Sequence, residues 1–400
     1  MTLLRDTLTR FAAITILFCV SFNLQAASND IEQEFDVGNG GTLTINSDAG
    51  AMEVNTWDQN RVRLRIRNVG DFEVDVEQDG DDVNVRAERD GGGFFGRIGR
   101  SNIDFDIDVP VNYNVSLDTG GGHIEVAPIN GDVDADTSGG HIEIGEVTGN
   151  VRADTSGGHI TIEDVDGSVV ADTSGGRITL GNVTGDANAD TSGGSITIGN
   201  VGGDMIADTS GGSIDVGEGS GSVTLDTSGG TIRAAWALGP VRADTSGGNI
   251  YLDGSETSVY ADTSGGNIEI ERSNGGVNAD TSGGSIRIRN AVGPIRADTA
   301  GGRIEAELAS VSGDRDASIE LSTAGGDVTL RLPSNHSASI TAELEVSRRG
   351  RGDYRIYTDF PLSIQEDDDG DITGRGEING GGDRIFIETT NSDINIESVD

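Results

Sequence analysis

Val133-Asp134-Ala135-Asp136-Thr137-Ser138-Gly139-Gly140-His141-Ile142-Glu143-Ile144-Gly145-Glu146-Val147-Thr148-Gly149-Asn150 is one period of a repeat that governs the middle of the chain. An Asp-Thr-Ser-Gly-Gly motif, or a near copy, begins at Asp118 and returns every eighteenth residue to Asp298, eleven copies without an insertion. Self-similarity at a fixed period of about 20 residues marks stacked coils, each too small to bury its own apolar face, and not a globular core.

Within the period, Val133, Ala135 and Thr137 share one parity and Ile142 and Ile144 share another, so each group reads as a strand with one face inward. Gly139-Gly140 and Gly149 mark corners. The position six residues after the motif Asp is Ile in every copy, from Ile124 through Ile160 and Ile232 to Ile304, so like stacks on like. Each buried Ile contributes roughly 1.5 to 3 kcal/mol, which, repeated down a stack, holds strands that are unstable singly. Aromatic content of 4% suits a thin interior. No apolar column recurs six and twelve residues after another, which sets aside a left-handed hexapeptide helix and leaves right-handed coiling as the expectation.

The flanks keep β-character without the period. Val62 to Arg67, Phe72 to Val76 and Ile103 to Val109 all alternate, and the basic outer face of the first is expected to pair with the acidic outer face of the second across Asn68-Val69-Gly70. After Asp298 the next motif, Ser322-Thr323-Ala324-Gly325-Gly326, comes 24 residues on, so one coil carries a loop. Ile385, Ile387, Ile394 and Ile396 form a last alternating pair of strands. Both flanks are the natural caps of a stack whose open ends would invite aggregation. The expected fold is therefore all-β, a single-chain parallel β-solenoid of 18-residue coils with irregular β caps at both ends. Its segments are a signal peptide (1–27), an N-terminal β region and cap (28–115), the regular solenoid (116–321), and C-terminal irregular coils and cap (322–400).

Residues 1–28 differ in kind: Arg5 and Arg10, an apolar run from Phe11 to Phe22, then Ala26, Ala27 and Ser28. This is the pattern of a secretory signal cleaved near Ala27, the run being short for a span of roughly 20 residues. Cys19, the one cysteine, lies inside it after Leu17-Phe18 and lacks a lipoprotein context, so the mature chain is expected to be cysteine-free. No later stretch is apolar enough to span a membrane, and Glu397-Ser398-Val399-Asp400 carries neither a barrel-closing aromatic nor a sorting signal. A periplasmic, cell-surface or secreted location follows as the expectation. Net charge of −41, pI near 4.1 and the lack of lysine exclude nucleic acid and anionic membranes as partners, and the acidity keeps a long β-stack soluble.

The motif aspartates, among them Asp136, Asp154, Asp172 and Asp190, face outward and stack about 4.8 Å apart. Neighbours repel by about 1 kcal/mol even in water. Two compensations are open: hydrogen bonds from the following Ser-Gly-Gly amides in an Asx-type turn, or a row of calcium ions taking roughly six to eight oxygens apiece. The calcium-binding nonapeptide pattern Gly-Gly-x-Gly-x-Asp does not match, because Gly-Gly is here followed by x-Ile-x-Ile. His123, His141 and His159 occupy one outward column that continues as Arg177, Ser195, Ser213, Thr231 and Asn249. They form either a ladder able to bind a transition metal or sense pH, or a column that merely varies among polar residues. His336 is expected in an exposed loop without a partner. Gly91 to Arg97 reads as a connecting or contact loop with two phenylalanines, and Arg348 to Asp353 as a basic patch containing Arg-Gly-Asp.

The repeats present no unique nucleophile with a base and no grouped acids in a cleft, so no catalysis is expected. Polysaccharide-acting β-helix enzymes use longer, loop-rich coils, and an ice-binding solenoid needs an outward Thr-x-Thr array, whereas here the Thr137-type column points inward. The Gly-Gly-x-Ile-x-Ile repeats, entered through Val109-Pro110-Val111-Asn112-Tyr113-Asn114-Val115 and closed by Thr389-Thr390-Asn391-Ser392-Asp393-Ile394, resemble the putative-adhesin β-strand-repeat family of exported bacterial proteins. The resemblance spans nearly the whole mature chain. It implies a β-solenoid in the cell envelope with an adhesive role, and it supplies no catalytic residues; a monomer facing a surface, glycan or envelope component is the expectation for its partners. A calcium-dependent matrix or scaffold protein is the alternative, and a polysaccharide-acting enzyme the third reading.

Overall fold

A computed structural model describes residues 30–89, 103–309, 316–347 and 352–399, so the segment read as a signal sequence, the Gly91 to Arg97 stretch, most of the insertion expected after Asp298 and Arg348–Arg351 lie outside the described residues. Each regular coil places Val133–Thr137 and Ile142–Ile144, or their equivalents, on two faces of a parallel stack. Register never slips along the first face: Val133, Ala135, Asp136 and Thr137 pair with Val151, Ala153, Asp154 and Thr155, and so on to Ile295–Thr299. Inward residues are buried in every coil, including the threonines.

A third side exists that the alternation did not reveal as a strand. Ile129–Asn130, Val147–Thr148 and Val165–Asp166 form a short parallel sheet, continued by single bridges through Val183, Val201 and Gly219 to Ala237. Two residues are too few to show period two in the sequence, yet the inward Val is buried. From Ile232–Ala237 onward the second face absorbs this side into strands of up to six residues.

Two devices explain the motif. Thr137 Oγ1 donates to the carbonyl of Gly122 in the preceding coil at 2.8 Å and accepts the amide of Gly140, an arrangement repeated at Thr155, Thr173, Thr191, Thr209 and beyond. The corner is thus held by the buried threonine hydroxyl and not by an Asx turn of Asp136, whose carboxylate faces solvent; a strand residue pointing outward cannot reach amides on the inner side of its own corner. The second glycine of each pair is also fixed by space. A Cβ on Gly212 would lie 1.9 Å from the carbonyl oxygen of Gly194, whereas one on Gly211 would meet its nearest neighbour at 3.4 Å.

The caps are built out of sequence order. Thr42–Ser47 and Ala51–Trp57 form a coil that lies between the coil of Asn114–Thr119 and Ile124–Val126 on one side and the strands Asp82–Arg89 and Asp104–Pro110 on the other. At the far end Asp383–Thr390 and Ile394–Val399 slot between Ile319–Thr323/Val328–Pro333 and Ala338–Glu345/Ile356–Thr358. Antiparallel strands then close each end.

The expected pairing of Arg61–Arg67 with Phe72–Asp79 does not occur. Arg61–Arg67 pairs with Ile31–Asp36 and Asp104–Pro110, where Arg63, Arg65 and Arg67 meet Asp108 and Asp106, while Phe72–Asp79 pairs with Asp82–Arg89 on the other face. Charge complementarity does choose the partner, but two acidic strands compete for it, and the turn at Asn68 and Gly70, both at positive φ, carries the chain across to the opposite sheet. The edge strand Ile31–Asp36 turns Glu32, Glu34 and Asp36 to solvent, and Phe72–Asp79 turns Glu73, Asp75 and Glu77 outward, which guards the open edges.

Candidate binding surface

The outer surface of the face carrying the aspartates has two columns. One is the Asp ladder, Asp118 to Asp298, eleven carboxylates in continuous register. Asp136, Asp172, Asp208, Asp244 and Asp280 have raised pKa values, first because partial burial penalises the charge and then because the aspartates above and below repel it; at Asp244 the Arg242 guanidinium pulls the other way. Arg242 lies 2.8 Å from Asp244, and Arg152 3.7 Å from Asp154. The ladder is single file, and among the described residues no group of three or more His, Cys, Asp or Glu side chains converges as a metal site would require.

His123 and His141 stack as parallel rings with centroids 5.3 Å apart. Among the described residues neither joins a group of three or more potential metal ligands. His159 Nδ1 accepts the backbone amide of Arg177 at 3.1 Å, the task that Ser195, Ser213, Asn249, Asn267 and Ser285 perform for the coils after them. At these six positions the column's side chain accepts a hydrogen bond from one coil on; Arg177, which has no acceptor, interrupts the series. A second such ladder runs from Asn114 through Asp132, Asn150, Ser168, Asp186 and Asp204 to Ser222, and stops before Pro240, which has no amide to give.

His336 is not the exposed loop residue expected. Its side chain is 9% exposed, its Nε2 lies 3.6 Å from Asp383 Oδ2, and burial lowers its pKa. The strand from Asp383, inserted out of order, covers it. Asp353, the described acid of the Arg-Gly-Asp tripeptide, is paired with Arg355 at 2.7 Å.

The other outward column, two residues before the aspartates, changes at almost every coil: Ser116, Asp134, Arg152, Val170, Asn188, Ile206, Thr224, Arg242, Tyr260, Asn278, Arg296, Glu320 and, by the inserted strand, Phe386. Val170 and Ile206 are exposed at 37% and 47%. Toward the C-terminal end the column opens into a groove of about 630 Å³, bounded by Tyr260 and Phe386 and floored by Gly276, Asn278, Pro294 and Ser318. The Arg242 guanidinium covers Tyr260 from the preceding coil at 4.2 Å and does not line the groove, so the groove meets the ring from its other side. Arg296 pairs with Glu320 at 2.7 Å, and Arg384 stands over Phe386 at 5.8 Å with no carboxylate partner among the described residues. Sequence reading missed this groove because Phe386 joins the column only through the inserted strand, 66 residues after Glu320.

Among the described residues no helix is long and apolar enough to cross a membrane. No protein-family model and no curated protein matches the chain. A crystal structure of a putative cell adhesion protein from Clostridium sporogenes is similar over 92% of this chain and 100% of its own, at 10% identity and a TM-score of 0.16, too low for any property to be carried across.

Proposed function

We propose that this chain is exported and acts without catalysis as an adhesin-type binding and spacer module of the cell envelope or surface. The observation that supports this reading is the contrast within one face. The Thr column and the Asp ladder hold one residue coil after coil and the other inward columns stay apolar, while the outward column beside them takes a different side chain at almost every step. On this face the interior requirements leave that column free to vary, so it is a place where a partner can be read. From Phe72–Asp79 to Ser363–Glu366 this face stacks nineteen strands, a rod of about 85 Å at the usual strand spacing. Export is read from Arg5, Arg10 and the apolar run to Phe22.

Purified chain beginning at Ser28 should co-sediment with cells or isolated envelopes of the producing organism, and do so less after Val170→Asp and Ile206→Asp together. Failure to sediment with any envelope fraction would remove the binding reading and leave a spacer alone.

A further inference from the structure

We infer that the groove between Tyr260 and Phe386 is a binding site for a linear neutral polysaccharide. This deepens the binding-module reading and rests on it. Four features converge. Tyr260, Asn278, Arg296, Glu320 and Phe386 are consecutive rungs, so the two rings stand four coils apart, about 19 Å, with only shorter or flexible side chains between them. A rung of about 4.8 Å is comparable with the length of one pyranose residue along its chain, which lets an extended glycan repeat its contacts coil by coil.

The rings themselves are pre-set. Arg242, held by Asp244, backs Tyr260 and leaves its other face to the groove, an apolar ring face of the kind that packs against the C–H face of a sugar, while Phe386 bounds the far end with Arg384, which stands over the ring and lines the groove. Between them, Asn278 and the Arg296–Glu320 pair supply the planar donors and acceptors that hydroxyl groups require. The corner column is also altered here. Upstream it carries Asp132, Asp186 and Asp204, whereas at the groove it reads Ser258, Gly276, Pro294 and Ser318, removing charge and bulk from the floor.

Charge selects among glycans. The Asp ladder, Asp262, Asp280 and Asp298, runs two residues from the floor column in the same strands, and the chain carries −41 overall. The lining itself holds Arg296 and Arg384 against Glu320, but the ladder beside it and the charge of the whole chain repel a polyuronate on approach, while a neutral chain would gain carboxylate acceptors for its hydroxyls.

The test is calorimetric titration of the intact chain with cellohexaose, xylohexaose and laminarihexaose, and with a hexagalacturonate as the charged counterpart. Binding to at least one neutral hexaose is expected, weakened about tenfold by Tyr260→Ala and again by Phe386→Ala, the scale of losing one aromatic contact. Asn278→Trp, which fills the floor and leaves both rings in place, should abolish it, and unchanged thermal melts would show that the variants fold. No binding to the three neutral probes, binding indifferent to all three substitutions, or preference for the hexagalacturonate would overturn the inference. Envelope sedimentation surviving any of these results would leave the broader reading standing, so the two failures are separable.

Discussion

Thr209 Oγ1 donates to the Gly194 carbonyl of the preceding coil at 2.8 Å and accepts the amide of Gly212 at 3.3 Å, so one buried hydroxyl ties a corner both to its own turn and to its neighbour. Replacing Thr209 by Val keeps shape and removes both bonds. Two partly buried backbone groups then lose their partner, at a cost of about 1 to 3 kcal/mol, whereas Thr209→Ser retains the hydroxyl and loses less. Urea unfolding of the two variants measures the difference; a Val variant as stable as the parent would show that the hydroxyl ladder is incidental.

The paired glycines separate cleanly. At Gly212 an added methyl would overlap the Gly194 carbonyl oxygen, and the coils would have to part; at Gly211 there is room. Gly212→Ala is expected to cost several kcal/mol or prevent folding, and Gly211→Ala to change stability by about 0.5 kcal/mol or less. Equal effects at the two positions would contradict the close approach of adjacent corners.

Acid should stabilise the ladder. The raised aspartates bind protons more tightly folded than unfolded, so the stability gained by protonation is fully present below the ordinary Asp pKa and is lost as pH rises through the raised values. Two groups oppose this. Ser222 donates to Asp204 and lowers its pKa, and buried His336 favours its neutral form, a contribution lost as pH falls below its ordinary 6.5. In a His336→Asn background the urea midpoint should therefore rise as pH falls toward the ordinary Asp value of 3.8. A midpoint that falls over this window would contradict the repulsion assigned to Asp136, Asp172, Asp208 and Asp280.

Screening should act on the same charges. At pH 7, sodium chloride is expected to raise the melting temperature, and calcium at matched ionic strength to add nothing further, because the stacked carboxylates repel without converging on one ion. A large extra shift with calcium, reversed by chelator, would favour the calcium-dependent scaffold.

Much of this structure was legible because the sequence repeats its reasons. Ile142 and its equivalents announce the core, and the parity of Val133, Ala135 and Thr137 tells which side faces it. The short third strand at Val147–Thr148 was not legible, since two residues show no period. Nor was the threonine device, because a hydroxyl that points inward looks like a core position filled by a tolerated polar residue until its two partners are seen. The caps resisted for a topological reason: Asp383–Thr390 sits beside Ile319–Thr323, with the strands between them displaced outward, and no periodicity encodes a coil inserted out of order. The burial of His336 and the groove at Phe386 both depend on that insertion.

The central claim, an exported module that displays its outer column to a surface, is met most directly by labelling. Ser192 is exposed and makes no side-chain hydrogen bond among the described residues, so Ser192→Cys puts one thiol on a chain whose only other cysteine, Cys19, lies in the segment read as a cleaved signal. Intact producing cells are treated with a membrane-impermeant maleimide and compared with cells whose envelope has been opened. Labelling of the intact cells is the result expected of an adhesin-type surface module; labelling confined to opened envelopes would contradict surface display and leave a periplasmic binding or scaffold protein.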